Sequence, residues 1–131
     1  MTDRPEILFS SEEIAARVSE LAREIAGAPQ RPDIAMPILV GGFVFAADLV
    51  RALSKEGVDL AVEMLWLRSY GDKRVASAIS MIAGPSDQIA GRHVLVIDGV
   101  LDAGRTIKKA VSLIEAAGAA SVRVVALLDK R

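Results

Sequence analysis

The stretch His93–Val111, HVLVIDGVLDAGRTIKKAV, decides how this chain is read. Val94 to Ile97 is a short aliphatic run of the kind that forms a strand covered on both faces. It stops at Asp98, resumes briefly, and then delivers Asp102, Gly104 and Thr106 before an amphipathic segment. A buried strand avoids carboxylates, and a turn that only connects needs no second acid four residues after the first. The backbone N–H groups that open a helix are unpaired and carry the positive end of its dipole. With Gly104 allowing close approach and Thr106 offering a hydroxyl, this strand-to-helix turn suits a phosphate. Asp98 and Asp102 fit beside such an anion if they hold sugar hydroxyls or a cation, and carboxylates are natural ligands for Mg²⁺ carried by substrate phosphates. The plainer alternative is that Asp102 caps the helix and Asp98 merely ends the strand. The turn contains neither G-x-x-x-x-G-K-[ST] nor G-x-G-x-x-G, which sets aside the P-loop and the dinucleotide fingerprint.

Outward from this stretch, strands and helices alternate. Ser10 and Glu13 form a capping box, and Ile14, Val18, Leu21 and Ile25 follow at helical spacing until Gly27 and Pro29. Ile34 to Val40 reads as a buried strand, weakened by Pro37, which withholds a ladder donor. Gly41-Gly42 then turns the chain into a helix that ends at Gly57. DLAVEMLWLRSYG reads as one strand to about Leu67 and VASAISMI as another. GPSDQIAGR is a turn-rich connection. Thr106 to Ala117 is a helix with Gly118 at its C′ position, and Ser121 to Asp129 is a last strand. Such alternation predicts a mostly parallel sheet with helices on both faces, which binds ligands beyond the carboxyl ends of its strands. Val40-Gly41-Gly42, Asp98–Thr106 and Asp129-Lys130 all fall at that edge, so they point to a single site.

The bulk composition narrows the classes. The chain has 131 residues, enough for one domain, and 52% of them are apolar. A net charge of −1 argues neither for a nucleic-acid surface nor for an acidic partner, and no nucleic-acid partner is expected; the absence of cysteine removes disulfides and thiolate metal sites. The opening MTDRPEILFSSEE lacks a basic segment followed by an apolar one, and the longest uncharged run, Ile34–Ala47, is interrupted by Pro37, Gly41 and Gly42. No membrane segment and a cytoplasmic location are therefore expected.

With these motifs in place, the chain resembles the type I phosphoribosyltransferases. VLVIDGVLDAGRT is similar to their phosphoribosyl-pyrophosphate (PRPP) motif, an apolar strand, an acid pair, two apolar residues and D-[TA]-G-x-T. ILVGGFVFAADLVRAL resembles the pyrophosphate-loop segment of the hypoxanthine-guanine branch, RSYG its mobile loop, and ALLDK the strand ending its nucleotide site. ILFSSEEIAARVSELAREI looks like its opening helix. The resemblance implies that Asp102, Ala103, Gly104, Arg105 and Thr106 bind the 5′-phosphate of PRPP. It implies that Asp98 holds the ribose hydroxyls, with a possible indirect role toward metal, and that Asp102 is the catalytic proton acceptor near the purine. Leu39, Val40 and Gly41 match the pyrophosphate loop, where a non-proline cis peptide is expected. Ser69 and Tyr70 match the loop that closes over the site, and Lys130 the purine-binding lysine.

Three departures stand out. Gly99 replaces the second acid of the usual pair, Val40 replaces the usual lysine of the pyrophosphate loop, and the chain ends at Arg131, where the family continues into its hood. The expectation is therefore a single α/β domain over residues 1–131, a PRTase-type (Rossmann-like) mostly parallel sheet flanked by helices, with the hood subdomain missing. Its expected function is transfer of the phosphoribosyl group of Mg-PRPP to a 6-oxopurine, with Mg²⁺ borne by the substrate and purine salvage as the context. One alternative is a non-catalytic PRPP- or nucleotide-binding sensor or partner subunit. Another is a doubly wound domain whose acids bind Mg²⁺ for other phosphate chemistry. Apolar surface expected near the last strand suggests a homo-oligomer. His93 is expected at the surface, and Trp66 in the core or at an interface.

Overall fold

The computed structural model describes residues 10–69, 79–101 and 105–129. It consists of α1 (Ser11–Gly27), β1 (Ile34–Leu39), α2 (Phe43–Lys55), β2 (Ala61–Val62), β3 (Leu65–Ser69), β4 (Ile79–Ala83), β5 (His93–Leu101), α3 (Arg105–Ala116) and β6 (Ser121–Asp129), with a 3₁₀ turn at Asp87–Ile89. The six strands form one sheet in the order β4-β3-β1-β5-β6, with β2 also on β1. β2, β3 and β5 run parallel to β1, β6 runs parallel to β5, and β4 at the edge is antiparallel to β3.

Alternation along the central strands sorts the core onto two faces. Ala35, Leu95 and Ile97 point toward α1 and α2, packing with Leu21, Ile25, Leu49 and Leu53. Met36, Ile38, Val94 and Val96 point the other way, toward Ala110 and Ile114 of α3. Near-continuous apolar sequence in β1 and β5 is what this two-sided burial demands. The helix ends follow the sequence signals. Ser10 and Glu13 complete the capping box on α1, with the Glu13 N–H donated to Ser10 Oγ at 3.1 Å and the Ser10 N–H to Glu13 Oε1 at 3.0 Å. Gly57 and Gly118, at φ 83° and 95°, take the left-handed turns that follow α2 and α3.

One expectation needs correction. DLAVEMLWLRSYG is not one uninterrupted strand but two, β2 and β3. The register nevertheless runs straight through: Ile34 and Ala35 pair with Ala61 and Val62, and Ile38 and Leu39 pair with Leu65 and Trp66. Met36 and Pro37 thus stand opposite the break at Glu63 and Met64. The Glu63 N–H still reaches the Ala35 carbonyl (3.0 Å), but Pro37 has no N–H to return, and the ladder lapses there. His93 also departs from a simple surface position. It is half-buried at the start of β5, with Nδ1 2.7 Å from Ser121 Oγ.

Candidate active site

The carboxyl ends of β1, β3, β5 and β6 share one edge of the sheet. At that edge the Leu39–Val40 peptide is cis, as the resemblance implied. Gly42 then starts α2, its N–H donated to the Ile38 carbonyl at 2.9 Å. Gly42 is buried, and no larger residue fits: a Cβ there would lie 2.6 Å from the Ile97 carbonyl oxygen, 2.9 Å from that of Ile38 and 3.2 Å from Asp98 Cα. From the opposite side, a Cβ on Gly99 would lie 3.1 Å from the Gly41 carbonyl oxygen. The turn after β1 and the end of β5 therefore meet backbone to backbone, with glycine on both sides of the contact. Val40, at the tip of that turn, is 69% exposed.

Asp98 lies half-buried beside this contact, and its Oδ1 accepts the Gly99 N–H at 2.9 Å. Burial pushes its carboxyl above the ordinary value of 3.8, and the Gly99 N–H opposes that shift without cancelling it. A carboxylate that is costly to ionise in the free protein gains most from a ligand that offsets the cost, such as a pair of hydroxyls or a cation. The neighbouring helix starts differ from that of α1. α1 carries Glu12 and Glu13 in its first turn, whereas α2 and α3 carry no acid there, and Gly42 supplies no side-chain cap. Among the described residues the first turns of α2 and α3 hold no acid, and helix starts of that kind suit anions.

Leu39, Val40, Gly41 and Asp98 are thus brought together. Arg105 and Thr106, both half-buried, open α3, and Ser69 closes β3. Tyr70, Asp102, Ala103, Gly104 and Lys130 lie outside the described residues. Gly42 was read only as part of the Val40-Gly41-Gly42 turn at this edge and given no role of its own; the glycine doublet at a strand-to-helix junction was its signal. Among the described residues no cluster of three or more His, Cys, Asp or Glu is arranged to hold a metal.

A sheet of this kind, binding where its parallel strands end, serves nucleotides and sugar phosphates. The chain belongs to the phosphoribosyltransferase family: the family model described as "Phosphoribosyl transferase domain" matches residues 6–131. Within that family it is similar to the hypoxanthine-guanine phosphoribosyltransferases. It is 32% identical over 129 residues to the enzyme of Dictyostelium discoideum, covering 96% of this chain and 72% of that protein. Against the enzyme of Crithidia fasciculata the identity is 29% over 131 residues, covering 94% of this chain and 63% of the relative. A variant of the Trypanosoma cruzi hypoxanthine phosphoribosyltransferase, in complex with its product IMP, superposes with a TM-score of 0.85 at 30% identity, covering 98% of this chain and 71% of that one. The chain thus spans roughly two thirds of the length of these relatives.

Proposed function

We propose that the chain transfers the phosphoribosyl group of Mg-PRPP to a 6-oxopurine, hypoxanthine or guanine, and releases pyrophosphate in purine salvage. The observation that supports this reading is the backbone contact between the Gly41-Gly42 turn and Asp98-Gly99, the two segments to which the resemblance assigns the leaving group and the ribose. The IMP complex of the T. cruzi relative supports a purine as acceptor.

In this reading a purine nitrogen forms a bond to C1′ of the ribose as the C1′–oxygen bond to pyrophosphate breaks, its electron pair leaving with pyrophosphate. Asp98 accepts hydrogen bonds from the ribose hydroxyls. Asp102 takes the proton that the purine gives up, and Ala103, Gly104, Arg105 and Thr106 hold the 5′-phosphate. Leu39, Val40 and Gly41 line the path of pyrophosphate, Ser69 and Tyr70 close over the site to exclude water, and Lys130 donates to the 6-oxo group. Mg²⁺ carried by PRPP neutralises charge on the leaving group.

The test is pyrophosphate release from Mg-PRPP with hypoxanthine, guanine, xanthine or adenine. Release that requires hypoxanthine or guanine and disappears in Asp102→Ala supports the enzyme. Folded protein that binds PRPP yet releases nothing with any base overturns it. That outcome favours the second reading, a non-catalytic PRPP or nucleotide binder, to which Val40 lends weight as a lost positive charge near the leaving group and Gly99 as a lost ribose or metal contact.

The assembly is also part of the proposal. Among the described residues, large exposed apolar side chains include Phe43 and Val44 at the start of α2, Val62 and Met64 at and beside β2, Met81 and Ile82 on β4, and Val124 on the last strand. Pro37, Phe43, Ala47, Val50, Val62 and Met64 line an apolar depression of about 250 Å³, and a second copy of the chain is its proposed occupant. A monomer in sedimentation at micromolar concentration is the result that counts against this. Among the described residues no helix is long and apolar enough to cross a membrane, and a cytoplasmic location is proposed with the activity.

A further inference from the structure

β3 outruns the strand that supports it. Its Leu65 and Trp66 pair with Ile38 and Leu39, where β1 ends, and among the described residues Leu67 to Ser69 pair only with β4. The joint is bent as well. Trp66 pairs with Ala83 but Leu67 with Met81, so Ile82 is the extra residue of a β-bulge at the step where β3 leaves β1. A bulge bends a strand pair and increases its twist. The direction in which Ser69 is carried to the site edge therefore depends on how the root of the β3–β4 pair is held.

Glu63, in the break before β3, holds that root. Its N–H donates to the Ala35 carbonyl of β1 at 3.0 Å. Its carboxylate reaches the chain just past β4: the Ser86 N–H donates to Oε1 at 3.0 Å and the Ser86 hydroxyl to Oε2 at 2.9 Å. The same hydroxyl accepts the Gln88 N–H at 3.2 Å and so caps the 3₁₀ turn that carries Ile89. Ile89 is buried in one cluster with Leu65, Leu67 and Ile79 of the strand pair. One residue thus ties β1, the approach to β3 and the exit from β4 together.

We infer that Glu63 is a positioning residue: with Ser86 it clasps the root of the β3–β4 pair and sets where Ser69 stands at the carboxyl edge of the sheet. Hydrogen bonds exposed to water add little to overall stability, so the role of the clasp is geometric. The inference rests on the proposed function, in which Ser69 borders the site.

The experiment compares Glu63→Ala, Glu63→Gln, Ser86→Ala and the Glu63→Ala/Ser86→Ala double variant in kcat and KM for PRPP, urea midpoint and amide hydrogen exchange. Glu63→Ala is expected to raise KM roughly tenfold with kcat changed less. Exchange at Leu67 to Ser69 should quicken roughly tenfold, while Val94 to Ile97 of β5 exchange as in the parent. Glu63→Gln offers an acceptor to the Ser86 N–H and a donor to its hydroxyl oxygen, and should restore both readouts. The double variant should be no worse than Glu63→Ala, because both changes remove one contact. A parental KM in Glu63→Ala overturns the positioning role, whatever happens to the midpoint; so does additivity in the double variant or failure of Glu63→Gln to rescue. Should Glu63→Ala not fold, Ser86→Ala carries the same comparison. If the parent turns over no purine, the proposed function fails and exchange alone decides. Unchanged rates at Leu67 to Ser69 then refute the clasp, and a selective increase upholds it.

Discussion

The two edges of the parallel sheet are built from different materials. At the edge where β5 begins, side chains and backbone stitch neighbouring elements together. The His93 N–H donates to Asp33 Oδ2 at 2.9 Å, and the Asp33 N–H returns to the His93 carbonyl at 2.8 Å. The Ala61 N–H reaches the Asp33 carbonyl, Ser121 meets the His93 ring, and the Ala120 N–H closes on the Arg92 carbonyl. At the opposite edge, where β5 ends, there are glycines in backbone contact, a half-buried carboxylate and helix starts without acids. One edge pairs its polar groups with one another; the other is the edge proposed to meet the ligand. Stability should therefore reside at the first and activity at the second.

The sharpest way to break this division is Gly42→Ala. The new methyl group collides with the Ile97 carbonyl, and the turn must move. Activity in pyrophosphate release is expected to fall by about a hundredfold, as misplacement on the ångström scale does in other sites. A variant that retained parental kcat and KM would show the close contact to be irrelevant. At the other edge, Asp33→Ala leaves the His93 N–H without its partner and should cost about 1–3 kcal/mol in urea unfolding, with activity per folded molecule unchanged. If activity fell along with stability, the two edges would not be separable.

A pH series on Asp98 sharpens the comparison, because stability and activity should move in opposite directions. Burial raises the carboxyl above its unfolded value, so the native state favours the protonated form. The associated stability is present below the unfolded pKa and is lost as pH rises through the raised folded value. Binding needs the carboxylate, so KM for PRPP should climb as pH falls toward that same raised value, above where an ordinary aspartate titrates. Asp98→Asn should therefore unfold no more easily than the parent at neutral pH while binding PRPP poorly; a variant that loses stability and keeps its KM contradicts the assignment. The smallest effect is expected from Ser10→Ala, which removes the cap on α1. A loss of about 1 kcal/mol with unchanged turnover provides the control.

Much of this could be read from the sequence because local rules and global fold agree. The apolar run Val94–Ile97, the Ser10–Glu13 box and the glycines closing α2 and α3 each specify their element, and the structure has them. Of the candidate site, Asp98 and the Val40-Gly41-Gly42 turn were legible as residues at neighbouring strand ends, and the structure places them side by side; Asp102 and Gly104 lie outside the described residues. What escaped was distance. Nothing in the sequence says that Gly42 lies against Ile97 and Asp98, because residues far apart in the chain meet there only once the sheet has formed. The split between β2 and β3 escaped for a related reason: its cause, Pro37, sits on a different strand.

That proline also bears on how the sheet finds its alignment. Sliding β2 and β3 along β1 by one residue would turn their apolar side chains outward, and burial alone forbids it. Sliding by two keeps every side chain on its own face, so burial is blind to the error. Pro37 is not blind to it. Moved to a pairing within β2 or β3, its absent donor would orphan a carbonyl inside a run of otherwise complete hydrogen bonds. The residue that weakens the central strand thus works as a key with a single notch, rejecting mispairings that the hydrophobic core would accept.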